Sequence, residues 1–224
     1  MSTEPPRQPG WLASPIWPRC APFIVYMLFI MIESFTGDRR LLGIDAHGWY
    51  FVQVVLTAAV LLAYWRTYSE LRTTDFPVRQ LVLGITVGVV VLIIWRALDQ
   101  PWATIGSDRP IQGARTLLAT EPLYATARIV GAVLIVPVME ELFWRSFILR
   151  WTHRSDFLAV RPADISLRAV LISSVLFALE HHLILAGLAA GLAYAELYRR
   201  TGRLWTVIVA HAVTNLLIEI IGTK

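Results

Sequence analysis

Long apolar runs dominate the chain, and their lengths predict helices that cross a membrane. Seven candidate spans follow one another at about residues 21–35, 49–65, 78–95, 123–150, 166–182, 183–198 and 204–221. A helix needs about 20 mostly apolar residues to cross the hydrocarbon core of a bilayer. The pattern therefore predicts an all-α, polytopic transmembrane helix bundle of about seven spans, or eight if a further segment lies within residues 97–120.

Two adjacent glutamates, Glu140 and Glu141, interrupt the fourth of these runs. A charged side chain at bilayer depth costs at least a few kcal/mol and usually faces a bundle interior or a polar cavity. Glu141 and Arg145 are four residues apart, so they share a helix face and can form an ion pair. Glu140 lies about 100° around the helix from Glu141 and can point elsewhere. The upstream Pro137 is expected to kink the helix and open space beside Glu140.

Two more pairs with the same four-residue spacing follow, Phe177 with His181 and His211 with Asn215. Measured at about 1.5 Å per residue from the basic flank of each span, all three motifs reach similar depths, on the half assigned below to the cytoplasm. Glu180 and His182 flank His181 on other helix faces. We interpret Glu180 as a pairing or interfacial residue and His182 as a bystander.

Composition and charge agree with a membrane protein. Hydrophobic residues make up 56% of the 224 residues and charged residues only 16%, whereas soluble domains have about 25% charged residues. The net charge of +4 comes almost entirely from arginine. Arginines in the loops of such a chain are typical of membrane anchoring, which makes the lipid bilayer the expected partner and disfavours nucleic acid. The single cysteine excludes an intrachain disulfide.

The sequence divides into three parts. Residues 1–20 contain five prolines and form a predicted arm, residues 21–122 carry spans without a recognised motif, and residues 123–221 carry all three motifs. Twelve basic residues flank one side of the seven-span layout and five flank the other. Because basic loops stay in the cytoplasm, the N-terminus is predicted to be cytoplasmic, and a cavity at the motifs is expected to face the same compartment.

The polar set indicates hydrolysis. A buried glutamate beside a neutral imidazole can activate water, and a second imidazole with an amide can donate hydrogen bonds to an oxyanion. No serine or cysteine occupies a motif position, which disfavours an acyl-enzyme. A second possibility is that Glu140, His181 and His211 ligate a zinc ion with an open fourth position. The sequence leaves open whether a cofactor is needed.

The three motifs, in this order on hydrophobic helices, resemble the CAAX protease and bacteriocin-processing family of intramembrane proteases. The resemblance covers about residues 123–221 and points to the bacterial branch, in the inner membrane. It implies that Glu140 and His181 activate the water and that His211 and Asn215 form the oxyanion site. It also implies that Glu141 and Arg145, with Phe177 in the second motif, support the site. The implied substrate is an unprenylated peptide or membrane-protein segment.

Two alternatives remain beside the protease. The first is a non-enzymatic protein of the same fold, such as a bacteriocin-immunity or scaffold protein. The second is a proton-coupled transporter that uses the glutamate and histidine residues as a relay. The odd number of spans and the lack of a visible repeat disfavour the transporter. The oligomeric state, the cleavage site and the pathway do not follow from the sequence.

Overall fold

The computed structural model describes residues 14–36, 42–72, 75–105 and 114–222. Within these ranges the chain forms α-helices joined by short turns, with no β-strand. The eight helices are α1 Ile16–Thr36, α2 Ala46–Ala63, α3 Val78–Ala97, α4 Ala114–Thr120, α5 Pro122–Trp151, α6 Leu167–Leu179, α7 Ile184–Thr201 and α8 Leu204–Ile221. The predicted all-α class is confirmed.

Five of these helices are long and apolar enough to cross a membrane, namely α1, α2, α3, α5 and α8. Helix α6 is apolar but only 13 residues long, and α7 has 18 residues but a more polar sequence. Four predicted boundaries differ from the structure by three residues or more, and two of them are the start of α2, at Ala46 rather than at residue 49, and the end of α7, at Thr201 rather than at residue 198. Helix α1 begins at Ile16 rather than at residue 21, and α6 ends at Leu179 rather than at residue 182. Residues 1–13 of the predicted arm lie outside the described ranges.

Helices α1–α3 and α5–α8 alternate in direction, so the bundle has two ends. At the basic end, the start of α1 and the end of α5 meet the turn between α2 and α3, which runs over residues 64–77. At the opposite end, the ring of His182, between α6 and α7, bonds the carbonyl of Ile105, which follows α3. There too Arg128 of α5 pairs with Glu219 of α8 at 2.7 Å.

A buried ion cluster ties the basic end together. The guanidinium of Arg19 is 1% exposed and donates to both oxygens of Glu70, at 2.8 and 2.7 Å. Ser146 of α5 donates to Glu70 as well, and Arg150 lies 3.6 Å from it. Because α1, α5 and the α2–α3 turn each contribute a group, the cluster fixes three distant parts of the chain against one another.

Helices α3 and α8 approach closely through Gly84 and Gly88. A Cβ on Gly84 would lie 2.8 Å from the carbonyl oxygen of Thr206, and one on Gly88 would collide with that of Ala210. Small residues at such four-residue spacing let helix backbones touch in membranes. The hydroxyl of Thr214 donates to the carbonyl of Gly88 at 2.9 Å. This contact fixes the position of α8 along α3, and with it the positions of His211 and Asn215.

Candidate active site

Helix α5 changes its winding on both sides of the two glutamates. Residues Gly131–Ile135 and Leu142–Ile148 are π-helical, with ordinary α-helix at Val136–Glu141 between them. Wide π turns inside α-helices occur frequently at functional sites. One of the two wide turns directly precedes Pro137, the position where the sequence predicts a kink.

Asn215 compensates for a hydrogen bond that Pro137 cannot make. The N–H of Val136 bonds the carbonyl of Gly131, five residues back, so the same pattern would pair Pro137 with Ala132. Proline has no N–H, and the carbonyl of Ala132 instead accepts a hydrogen bond from Nδ2 of Asn215 at 2.9 Å. A carboxamide nitrogen carries two hydrogens, so one remains for another acceptor.

Glu141 is a buried, doubly paired carboxylate. Its side chain is 0% exposed, with Oε1 2.8 Å from Nδ1 of His211 and Oε2 3.1 Å from Nε of Arg145. The Arg145 guanidinium also lies over the ring of Phe177, 4.3 Å from its centroid. A carboxylate accepts but does not donate, so the Nδ1 of His211 carries a hydrogen. Nε2 of His211 is then the nitrogen left for chemistry.

Glu140 has fewer partners than Glu141, which accepts a hydrogen bond from His211 and has an ion pair with Arg145, although Oε2 of Glu141 also lacks a hydrogen bond within the described ranges. Oε2 of Glu140 is buried and has no hydrogen-bond partner among the described residues, and it lies 3.9 Å from Nε2 of His211. A buried carboxylate oxygen without a partner costs free energy. In native structures such a group calls for an explanation, and a catalytic role is one.

The second imidazole, His181, lies in the turn that follows α6. Its Nδ1 is 2.8 Å from the carbonyl oxygen of Phe177, and a carbonyl can only accept. Nδ1 therefore carries the hydrogen, and Nε2 of the neutral ring offers a lone pair. The indole of Trp95 packs edge-on against the ring, with centroids 5.5 Å apart, and limits its rotation.

A cavity of about 310 Å³ joins these groups. All four predicted catalytic residues line it: Glu140, His181, His211 and Asn215. Phe177 lines it too, whereas the Glu141–Arg145 pair lies behind the wall and holds His211 in place. The structure therefore brings the predicted set together, while the role of each residue remains a prediction.

Glu180 is a site residue that the sequence interpretation placed elsewhere. It lines the cavity, and its Oε1 is buried without a hydrogen-bond partner among the described residues. Ligand atoms of Glu140, Glu180 and His181 lie within 4.8 Å of one another. The one feature of the sequence that indicated a role for Glu180 was the free-energy cost of a third carboxylate in an apolar run. The reading of Glu180 as a pairing or interfacial residue misses this placement.

These three side chains fit a divalent metal better than the set expected from the sequence. Carboxylate oxygens and a neutral imidazole nitrogen are ordinary zinc ligands, and two of the oxygens have no other partner. His211, expected as the third ligand, is outside this group.

Tyr194 of α7 completes the wall and was not expected from the sequence. Its ring stacks on His211 with centroids 5.2 Å apart, and its hydroxyl donates to Thr214 at 2.8 Å. Together with Glu141, this ring holds the imidazole of His211 in one plane.

Comparison with protein families identifies the part of the chain that contains the site. Residues 122–217 match the model described as type II CAAX prenyl endopeptidase Rce1-like. The chain carries an Rce1-like domain. This match confirms the family expected from the motifs, and the domain contains every predicted site residue. No curated protein and no solved structure matches the chain. With its five long apolar helices, a chain carrying this domain is an integral membrane protein.

Proposed function

We propose that the chain is an intramembrane endopeptidase that hydrolyses a peptide bond with a water molecule activated by Glu140 and His181. The observation that carries the proposal is the cavity in which the unpaired oxygen of Glu140 faces two imidazoles and a carboxamide. Neither a scaffold nor an immunity protein needs an unpaired buried carboxylate beside a cavity. The Rce1-like domain supports the same conclusion, because its family model describes endopeptidases.

In the first step, Glu140 accepts a proton from water while the water oxygen attacks the peptide carbonyl carbon. Nε2 of His181 accepts a hydrogen bond from the same water and orients it. A positioned acid–base group typically accelerates such a step about 10²-fold to 10⁴-fold. The carbonyl electron pair moves to the oxygen and forms a tetrahedral oxyanion.

The oxyanion accepts a hydrogen bond from the remaining N–H of Asn215 and one from Nε2 of His211. Since Nδ1 of His211 donates to Glu141, donation from Nε2 requires a hydrogen on both ring nitrogens. The carbon–nitrogen bond then breaks, and Glu140 returns its proton to the leaving amine. One peptide bond and one water give a carboxylic acid and an amine.

If a divalent metal takes part, Glu140, Glu180 and His181 are the residues that would hold it, and it would supply a more acidic water. The roles of His211 and Asn215 are the same in either case, because both donate to the oxyanion.

The proposed substrate is an unprenylated peptide or membrane-protein segment, and the proposed location is the bacterial inner membrane with a cytoplasmic N-terminus. Support for the orientation comes from the arginine-rich loops. Both points go beyond the family match.

A direct test uses the purified full chain in liposomes. We would incubate it with a library of single-span membrane peptides in water enriched in ¹⁸O and find new termini by mass spectrometry. We expect one ¹⁸O atom in each new carboxyl group, since water attacks the carbonyl directly. The matched control is Glu196→Gln, which changes a surface glutamate paired with Arg199 and Arg200. Products from the control but none from Glu140→Gln support the proposal, and an absence of new termini with wild-type protein rejects it.

A further inference from the structure

The cavity extends from the middle of the bundle toward one end only. Glu140 and His211 lie near the middle of α5 and α8 and form its inner part. Its other lining residues include Trp95 in the last turn of α3, Glu219 in the last turn of α8 and His182 in the α6–α7 turn. All three belong to the end opposite the basic end, so the cavity continues toward that side.

Packed side chains separate the site from the basic end. Leu142 and Leu149 of α5 are 0% exposed, as is Val207 of α8, while Leu204 is 1% exposed and Tyr198 2%. The Arg145–Glu141 pair lies among them, and the Arg19–Glu70 cluster lies beyond. No wide passage crosses this layer among the described residues, because its members are in contact with one another in a single core.

The two ends also differ in charge. By their positions along the chain, 11 of the arginines in the described ranges belong to the basic end: Arg19, Arg66, Arg72, Arg79, Arg150, Arg154, Arg161, Arg168, Arg199, Arg200 and Arg203. Only three described arginines belong to the opposite end, namely Arg96, Arg115 and Arg128, and of these Arg128 is paired with Glu219 and Arg96 lies 4.0 Å from Asp99. The excess of lysine and arginine marks the cytoplasmic side of a membrane protein.

We infer that the site is entered from the extracytoplasmic side and that its substrate is a peptide segment reaching the bundle from that leaflet. Two independent observations support this inference. The cavity opens toward one end of the helices, and the excess of arginine lies at the other end. This inference differs from the expectation of a cytoplasm-facing cavity in the end of the bundle at which the cavity opens. The inference rests on the proposed peptidase function for the nature of the substrate, but not for the side of entry.

The mouth determines what kind of segment can enter. Trp95, Leu183 and Ile218 give it apolar walls, while His182 and Glu219 add polar groups. A wall of this composition suits an extended, mostly apolar segment next to the membrane surface. An exported or membrane-anchored protein presents such a segment on the extracytoplasmic side.

The test measures which side of the membrane reaches the cavity. Cys20 is the only cysteine, so a Cys20→Ala background allows a single new thiol to be followed. Ile218→Cys and Trp95→Cys report on the mouth, and Arg154→Cys, in an exposed loop of the basic end, is the matched control. Each variant would be treated with a membrane-impermeant sulfonated maleimide in right-side-out and in inverted vesicles.

We expect both mouth cysteines to be modified in right-side-out vesicles and modification to be lost in inverted ones, with the reverse pattern for Arg154→Cys. Mouth cysteines that react from the same side as Arg154→Cys, or from neither side, overturn the inference. Repeating the labelling on a Glu140→Gln background separates it from the peptidase proposal, because access needs no turnover. Outside labelling without any cleavage by wild-type protein would reject only the proposed function.

Discussion

Two clusters of buried charge each include residues of helix α5, and they differ in how many of their charged atoms have partners. Near the basic end, both oxygens of Glu70 accept hydrogen bonds from Arg19, and Ser146 of α5 adds another. In the middle of the bundle, Glu140 keeps a buried oxygen with no hydrogen-bond partner among the described residues. Less than three turns of helix separate the two environments.

The difference separates a structural role from a chemical one. Breaking a buried, paired cluster costs stability because a charge is left without its partner. An unpaired oxygen beside a cavity already carries that cost, which is tolerated where the group has a task. Glu141 combines the two roles: it accepts a hydrogen bond from His211 and has an ion pair with Arg145, although its Oε2 lacks a hydrogen bond within the described part of the chain, and it acts on the site by orienting His211.

The largest expected effect on stability is that of Arg19→Met. The variant leaves Glu70 buried without its main partner, and we expect the free energy of unfolding to fall by about 3–5 kcal/mol. The cleavage rate per folded molecule should stay near that of wild type. The measurement is a thermal melt in detergent beside a cleavage assay, with Arg161→Met at an exposed ion pair as the control that leaves the melt unchanged. An unaltered melt for Arg19→Met would refute the structural role.

Glu180→Gln should have the reverse profile. We expect the cleavage rate to fall by about 10²-fold, at the low end of the range for acid–base groups, because a carboxylate beside Glu140 and His181 is lost. Stability should be unchanged or higher, since an unpaired buried charge is removed. A variant that melts earlier but cleaves at the wild-type rate would place Glu180 in the structural class.

The Glu70 cluster also predicts how stability depends on pH. Burial alone would raise the pKa of the Glu70 carboxyl, but the Arg19 guanidinium and the Ser146 hydroxyl outweigh it and hold the pKa below its ordinary value of 4.5. A lowered folded-state pKa stabilises the protein above the unfolded pKa, and this stability is lost as the pH falls through the folded value.

We therefore expect the melting temperature of wild type to drop more steeply than that of Glu70→Gln between about pH 5 and pH 3. The difference between the two curves isolates Glu70 from other carboxyl groups. Parallel curves for the two proteins would show that Glu70 is not a stabilising carboxylate.

The smallest expected effect is that of His182→Ala. Its ring bonds the carbonyl of Ile105 at 2.7 Å, so the loss is about one hydrogen bond, or about 1 kcal/mol of stability. The cleavage rate should stay close to wild type, whereas His181→Ala should abolish cleavage. Equal losses for the two histidines would mean that the wrong imidazole has been assigned.

The sequence predicted much of the site because its signals are local. Helical spacing and the cost of burying polar groups were enough to select Glu140, His181, His211 and Asn215 before their cavity was known, although His181 lies beyond the end of α6. Glu180 was missed because it was assigned to a different helix face from His181, whereas α6 ends at Leu179 and both residues lie in the turn after it. In a turn, the angle between neighbouring side chains no longer follows helical spacing.

Other features depend on contacts between distant parts of the chain. Arg19 and Glu70 are 51 residues apart, and neither belongs to a sequence pattern that predicts their ion pair. The direction of the cavity could not be predicted either. The depth of a residue along its helix does not show which end of the bundle is closed by packed side chains. The hydrogen bond between Asn215 and Ala132 depends on the π-helical turn before Pro137, and no pattern in the sequence predicts that turn.

The most direct test of the central claim is the cleavage rate of purified Glu140→Gln, measured on a peptide that the wild-type protein cleaves. The substitution keeps the shape of the side chain and removes its ability to accept a proton from water. We predict a loss of about 10²-fold to 10⁴-fold with an unchanged or higher melting temperature. Cleavage at the wild-type rate by folded Glu140→Gln protein would contradict the account.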